Sequence, residues 1–341
     1  MITNIQIEDK IEETVLLVGM GATNKYYMEV VQPESSEEMH EVFGECDFTD
    51  SFDILFDGHK DKGIFVMNIE SLHDYLKAAQ LLQSYSFTYI VPVDIGISNS
   101  FIDPTNDNEQ RTYYLSYFIK RCNLRDDSIV LITDNHASLY EDIDAFLDDM
   151  DSKLQAFKAN SNTGDVRQNI VFVANNVVNV AYANAVMARM LLNSEVNEYP
   201  FEDTERRAIF DIDHTDKIND MAYFRNHADG SFTVENLLNL YQGESPIKIF
   251  TAYRICCYIS RVLNFDNFVG SAYTMYKKQQ IASMVDIELN HMVGKYILEY
   301  RIDEVTAQED FLHPGTVNIV VKYSIRPINC MERFIQRMVV A

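Results

Sequence analysis

The densest reactive stretch in the chain is AIFDIDHT at 208–215. An apolar run ends there in Asp211, Ile212, Asp213, His214 and Thr215. Read as a strand, it turns residues two apart to one face, so Asp211 and Asp213 project together. Two carboxylates on one face are what nucleophilic and acid–base work on a single substrate would require. The plain structural reading is a polar strand end that caps a following helix. A second candidate is VGMGATNK at 18–25, a glycine-containing turn after an apolar run. Both phosphate-loop patterns need glycine where Asn24 stands, so the segment reads as a glycine turn and not as a nucleotide site. The eight histidines, at 40, 59, 73, 136, 214, 227, 291 and 313, show neither HxxxH nor HExxH spacing. None of the five cysteines forms CxxC, and no GxSxG is present. Zinc, disulfide-relay and serine-hydrolase chemistry therefore have no motif here. Cys256 and Cys257, adjacent within an apolar helix pattern, read as buried thiols. The expectation is no catalytic residue, no cofactor and no metal.

The segment DIDHT resembles the DxDxT motif of haloacid-dehalogenase-type phosphatases. That resemblance implies attack on phosphorus by Asp211, acid–base work by Asp213, and magnesium beside them. It departs in three respects. His214 stands where those enzymes have glycine, the motif falls far into the chain, and no GDxxxD-like acidic pair follows. A magnesium-dependent phosphatase remains the enzymatic alternative.

The elements that must position these residues follow from composition and periodicity. The 341 residues suffice for two or three compact units. No apolar run has the length of a membrane span, and the polar start MITNIQIEDK does not read as a signal peptide. An odd number of cysteines points to a reducing compartment. Charge is distributed unevenly: 17 basic against 43 acidic residues precede Lys248, and 11 against 9 follow from it onward. An acidic body of this kind does not bind nucleic acid through phosphate neutralisation. Its self-repulsion is absent from the last third, which is the part able to touch other copies.

Apolar runs predict strands at 14–19, 29–32, 63–69, 88–93, 128–133 and 169–174. Ser35 with Glu38 forms a capping box that opens a short helix, and Gly44 closes it. Helical spacing predicts helices over 71–85, 109–122, 136–160 and 233–242, the third with Leu139, Ile143, Phe146 and Leu147 on its buried stripe. Strands alternating with helices predict a mostly parallel α/β sheet across about 50–195.

From Lys248 two apolar helix patterns are followed by three strand-like runs, KYILEYRIDEV, GTVNIVVKYSIRP and ERFIQRMVVA. The last run, 334–340, has no later chain to cover it and reads as a strand meant for another copy. The 1–11 segment, anchored by Ile2, Ile5, Ile7 and Ile11, reads as a second arm. Lys277 and Lys278 are the candidate basic contacts in the second helix.

Taken in order, these pieces resemble contractile tail sheath proteins. VLLVG…VVQPESSEEMHEVFGE is similar to that family's opening strand and S-x-x-E-F…F-G helix, with Met39 in place of Phe. FTYIVPVDIG at 87–96 resembles its central strand, and NIVFVANNVVNVAYANAVMARMLLN at 169–193 its middle region, with Ala188 and Arg189 matching. IKIFTAYRICCYISRVL resembles its C-terminal helix, with Arg254 and Ile259 aligned, and GTVNIVVKYSIRPINCMERFIQRMVV its closing strands. The family's tryptophan is absent, as are the large outer insertions of many sheaths.

The resemblance implies a fold that is α/β in its body and α+β overall, with a C-terminal helix-plus-sheet unit completed by strands from neighbouring subunits. It divides the chain into an N-terminal arm (1–14), the first part of the core sheath domain (15–49), an acidic α/β body (50–195) and an irregular connection (196–247). The C-terminal sheath domain (248–330) and the C-terminal arm (331–341) complete it. It implies a subunit that polymerises in hexameric rings around a tail tube and contracts. The arms would act through Ile2, Ile5, Ile7, Phe334, Ile335, Met338, Val339 and Val340, while Lys277 and Lys278 face the tube. Partners would be further copies of the chain, the tail tube protein, and baseplate and tail terminator proteins, with no nucleic acid and no membrane. The expected location is the virion tail sheath, assembled in the bacterial host cytoplasm. Another tail structural protein, a terminator or baseplate component, is the non-enzymatic alternative.

Overall fold

The computed structural model describes residues 13–56, 63–98, 101–102, 112–115, 118–119, 128–160, 168–198, 200–202, 206–210, 212, 220–227, 232–242, 248–263, 274–309 and 317–328. Strand β1 (Thr14–Met20) opens them, followed by β2 (Val30–Val31) and the helices α1 (Ser36–Phe43) and α2 (Asp47–Phe56). Next come β3 (Gly63–Ile69), α3 (Tyr75–Leu81), β4 (Tyr89–Pro92) and the short pair β5 (Phe101–Ile102) and β6 (Thr112–Tyr113). Then follow β7 (Ile129–Ile132), α4 (Ile143–Asn160), β8 (Ile170–Val173), α5 (Ala183–Asn193) and β9 (Phe201–Glu202). Strands β10 (Met221–Asn226) and β11 (Phe232–Glu235) lead to α6 (Phe250–Val262), α7 (Met275–Met292), β12 (Ile297–Glu309) and β13 (Val317–Pro327).

Nine strands form one sheet in the order β2-β3-β1-β4-β7-β8-β10-β11-β9. The run from β3 to β10 is parallel, and β2, β11 and β9 add antiparallel edges. Segments from both 15–49 and 50–195 thus share one sheet. The parallel strands are near-continuous apolar runs because both faces are covered. Val15 and Leu17, Tyr89 and Val91, Ile129 and Leu131 face one core, with α2, α5 and part of α6. Leu16 and Val18, Ile90, Val130 and Ile132 face the other, with α3 and α4.

Local chemistry sets the helix ends. Glu38 N–H donates to Ser35 Oγ (3.1 Å) and Gly44, at φ 79°, closes α1 with its N–H on His40 O. The Glu38 carboxylate takes the Glu34 N–H (2.6 Å) and not that of Ser35, so the predicted box is half made; Ser71 and Asp74 make a complete one, but the segment after it splits into a 3₁₀ turn, α3 and another 3₁₀ turn.

Four expectations need correction. The helix predicted from 136 starts at Ile143, because Asp142 Oδ1 accepts the Ala145 N–H (2.8 Å) and a 3₁₀ turn precedes it. Leu139 is consequently 72% exposed and not on the buried stripe. The helix predicted over 233–242 is instead β11, whose Phe232 and Val234 alternate into the core, and Asn236 (φ 52°) ends it. Within 109–122, Thr112 and Tyr113 form a strand against β5, while 114–115 and 118–119 are helical and bury Leu115, Phe118 and Ile119 as expected. Helix α2, unassigned from the sequence, buries Phe48, Phe52 and Leu55. The C-terminal elements build a further core of their own: Ile255 and Ile259 of α6 meet Ile281, Val285 and Leu289 of α7, with Ile297 and Val305 of β12.

Candidate assembly surfaces

Strands β12 and β13 form a two-stranded antiparallel ribbon of 13 and 11 residues, with register shifts at Ile297/Glu299 and Ile302/Glu304. Its inner face carries Tyr300, Ile302, Ile319, Val321, Tyr323 and Ile325 against the α6–α7 core. Among the described residues no third strand pairs with either outer edge. A two-stranded ribbon this long is marginal in isolation, and each edge presents a row of backbone donors and acceptors. The arm residues Ile2, Ile5, Ile7, Phe334, Ile335, Met338, Val339 and Val340 lie outside the described residues.

Lys277 and Lys278 lie in the first turn of α7, after the N-cap Thr274, whose Oγ1 accepts the Lys277 N–H (3.2 Å). That turn holds no acidic residue, although the helix dipole favours one there. Beside the lysines, Met275 and Tyr276 are 70% and 68% exposed.

Helix α6 is shared between two cores. Phe250, Tyr253 and Cys257 pack into the sheet body, while Ile255, Ile259 and Leu263 belong to the C-terminal core. Between them Arg254 is 1% exposed. Its Nε and Nη2 donate to Glu13 Oε1 (3.0 Å) and Oε2 (2.6 Å) in a two-pronged pair. Nη2 also donates to Leu191 O and Ser194 O, and Nη1 to Ser194 Oγ and Glu195 O, so one guanidinium caps the C-terminal end of α5. Tyr89 Oη completes the Glu13 carboxylate (2.6 Å). Arg254 was singled out only by the resemblance of its helix to that of the sheath proteins; its partner Glu13 lies 241 residues away and carried no signal.

The catalytic candidates Asp211 and Asp213 fall beside, and not within, the described part of this region. Ala208 makes a lone bridge to Val177, and Ile209 and Phe210 lie in a bend. Asp211 and Asp213 themselves lie outside the described residues. The glycine turn lies at the switch point between β1 and β4, where doubly wound sheets hold ligands. Here the chain fills the crevice itself. A Cβ on Gly19 would meet Val93 Cγ2 at 2.1 Å and Phe48 Cδ2 at 2.6 Å, and Asp94 Oδ2 accepts the Met20 N–H (2.7 Å) that an anion would need.

One cluster escaped the sequence reading, since HxxxxE is no ligand motif. Around His40, Nε2 meets Asp53 Oδ2 (2.8 Å) and Nδ1 meets Glu45 Oε2 (3.0 Å), with Asp50 alongside. The hydrogen bond that the ring donates to the Asp53 carboxylate raises the His40 pKa above its ordinary value. The cluster ties α1 to α2, and it is open to solvent.

No family model and no curated relative matches the sequence. Solved structures do. A chain of the anti-feeding prophage baseplate, 6-fold symmetrised, superposes with a TM-score of 0.68 at 10% identity, over 100% of this chain and 99% of that one. The chain has the fold of a contractile sheath protein. A second neighbour is the sheath complex of the extracellular contractile injection system PVC in its contracted state, at TM-score 0.65 and 11% identity over 99% and 97% of the two chains. The sheath tail protein of Listeria innocua follows at TM-score 0.57 and 11% identity, over 92% and 96%. The contractile-sheath fold accounts for the mixed architecture: a mostly parallel sheet, then a separate two-stranded antiparallel ribbon.

Proposed function

We propose that this chain is a structural subunit of a contractile tail sheath, polymerising around a tail tube and shortening to drive it through a target envelope. The observation that carries the reading is the whole-length likeness to chains of contractile particles, ribbon included. Neighbouring subunits would add the 1–11 and 334–340 arms to the ribbon edges, a form of strand addition in which main-chain hydrogen bonds supply the joint. Ile2, Ile5, Ile7, Phe334, Ile335, Met338, Val339 and Val340 would anchor those strands. Bodies held by such joints can rotate and slide between two packings while the arms stay in place. Lys277 and Lys278 would meet an acidic tube surface, leaving the acidic body outward. Baseplate and terminator proteins would hold the ends of the sheath. Its place would be the virion tail, with assembly in the host cytoplasm. No catalytic side chain is needed, because the work comes from the difference in packing between two lattices.

One observation favours a second reading. The baseplate neighbour is covered as fully as the sheath neighbours, which supports a ring at the base of the particle. Negative-stain microscopy of the purified full chain separates the two. Long tubes of stacked rings are expected. Single closed rings would move the assignment to the baseplate. Magnesium-dependent phosphatase turnover that disappears in Asp211→Asn would overturn both.

A further inference from the structure

Helix α6 carries two arginines seven residues apart, two turns on and therefore on one face. Both reach the N-terminal ends of β1 and β4, in the interior of the sheet. Arg254 grips Glu13 from two nitrogens, and Arg261 Nη1 donates to Thr88 Oγ1 (2.7 Å). Thr88 Oγ1 also accepts the Thr14 N–H (2.9 Å), and the Thr88 N–H returns to Thr14 Oγ1 (3.2 Å). The first two described residues are thus fastened to α6 as well as to β4. Glu13 and Thr14 are also where segment 1–12 joins the body.

We infer that the Glu13–Arg254 pair, backed by Arg261, is a mechanical clamp that shares tension on the N-terminal arm with α6 and the C-terminal unit, so that the β1–β4 ladder does not carry it alone. The inference rests on the sheath reading for the source of that tension. Its physical basis is the order in which bonds meet the load. A pull on residue 12 reaches Glu13 before it reaches the ladder between β1 and β4, whose hydrogen bonds would otherwise open one after another from the end. The guanidinium holding Glu13 is anchored by four further acceptors at the end of α5. Helix α6 is buried in both cores, and the chain runs from it through α7 to the ribbon. Tension entering at one arm and leaving through strands added to the ribbon therefore has a route through α6 beside the one through the sheet. The body can be dragged between two lattice positions without its sheet being peeled.

The test uses the full chain carrying Glu13→Gln with Arg254→Met, a pair that removes both charges together and leaves neither buried alone. On the unassembled protein, hydrogen exchange at the amides of Thr14 and Val15 should quicken about tenfold, while those at the centre of the sheet keep their protection. Assembled tubes of the variant should form and then come apart at lower urea or milder shear than wild type. Unchanged exchange at Thr14, or tubes as resistant as wild type, overturns the clamp. Should the double variant not fold, Glu13→Gln alone carries the measurement. Loss of the fold in both would assign the pair to the core and also overturn the inference. A wild-type chain that makes no tubes would defeat the sheath reading, yet the exchange measurement would still decide whether the clamp exists.

Discussion

Asp94 shows how a single residue can be shaped by parts of the chain far from it. It follows β4 in the left-handed region (φ 63°), and its Oδ2 receives the Met20 N–H from the end of β1. Burial pushes its carboxyl up to about 6, offset by that backbone hydrogen bond and reinforced by Asp47 on α2. A carboxyl whose folded pKa exceeds its unfolded value of 3.8 adds stability below that value, and the contribution is lost as pH rises through about 6. Asn accepts the left-handed backbone and keeps an oxygen for the Met20 N–H. Asp94→Asn should therefore stabilise the fold at pH 7 by roughly 1–3 kcal/mol, and by nothing at pH 3. Urea unfolding of both proteins at the two pH values checks this, and an unchanged midpoint at pH 7 would show that the carboxylate is solvated. Nothing near Asp94 in the sequence marks it. Its environment is made by Gly19, Met20 and Asp47, which only the strand order brings together.

At the scale of elements, the parallel strands were legible because burial on both faces leaves near-continuous runs of Val, Ile and Leu. The α1 caps were legible because Ser35, Glu38 and Gly44 act within a few residues of one another. What failed was decided elsewhere in the chain. Segment 232–235 carries Phe-Thr-Val-Glu, which alternates, but it becomes a strand only by pairing with β10 and β9. Helix α2 mixes acidic and aromatic residues, and its buried face appears once Phe48 and Phe52 meet β1 and α1. The two strands of the ribbon were legible from their alternation, with β12 at Ile297–Glu309 and β13 at Val317–Pro327. Helix α7 offers a prediction that separates folding from assembly. Replacing Lys277 and Lys278 by Glu puts negative charge at a helix N-terminus, which should stabilise the isolated chain by about 0.3–1 kcal/mol. The same change would weaken tube loading if the lysines face an acidic tube. Thermal melting and co-sedimentation with tubes should move in opposite directions, the second more at low salt than at high salt. Normal loading at both salts would remove Lys277 and Lys278 from the tube face.

For the whole molecule the question is which hydrogen bonds one chain can make alone. The sheet body closes its main faces with its own helices, and its 43 acidic against 17 basic residues up to 247 keep such bodies apart. The C-terminal unit lacks that repulsion, and among the described residues its ribbon has no third strand. Within the described residues β13 already has β12 as its partner, so a strand from 334–340 would serve an edge outside this pair. Each added backbone hydrogen bond contributes about 1 kcal/mol net, and a strand of that length brings several per subunit, repeated along a tube. Removing residues 334–341 should then leave a soluble single chain with near-native circular dichroism and an unchanged melting temperature, but no tubes by microscopy or sedimentation. Two outcomes would count against it, and they differ in meaning. Normal polymerisation of the truncated chain would show that other contacts carry the lattice. A chain that no longer folds would place the segment in its own subunit's core, where its loss exposes apolar surface instead of an unused edge.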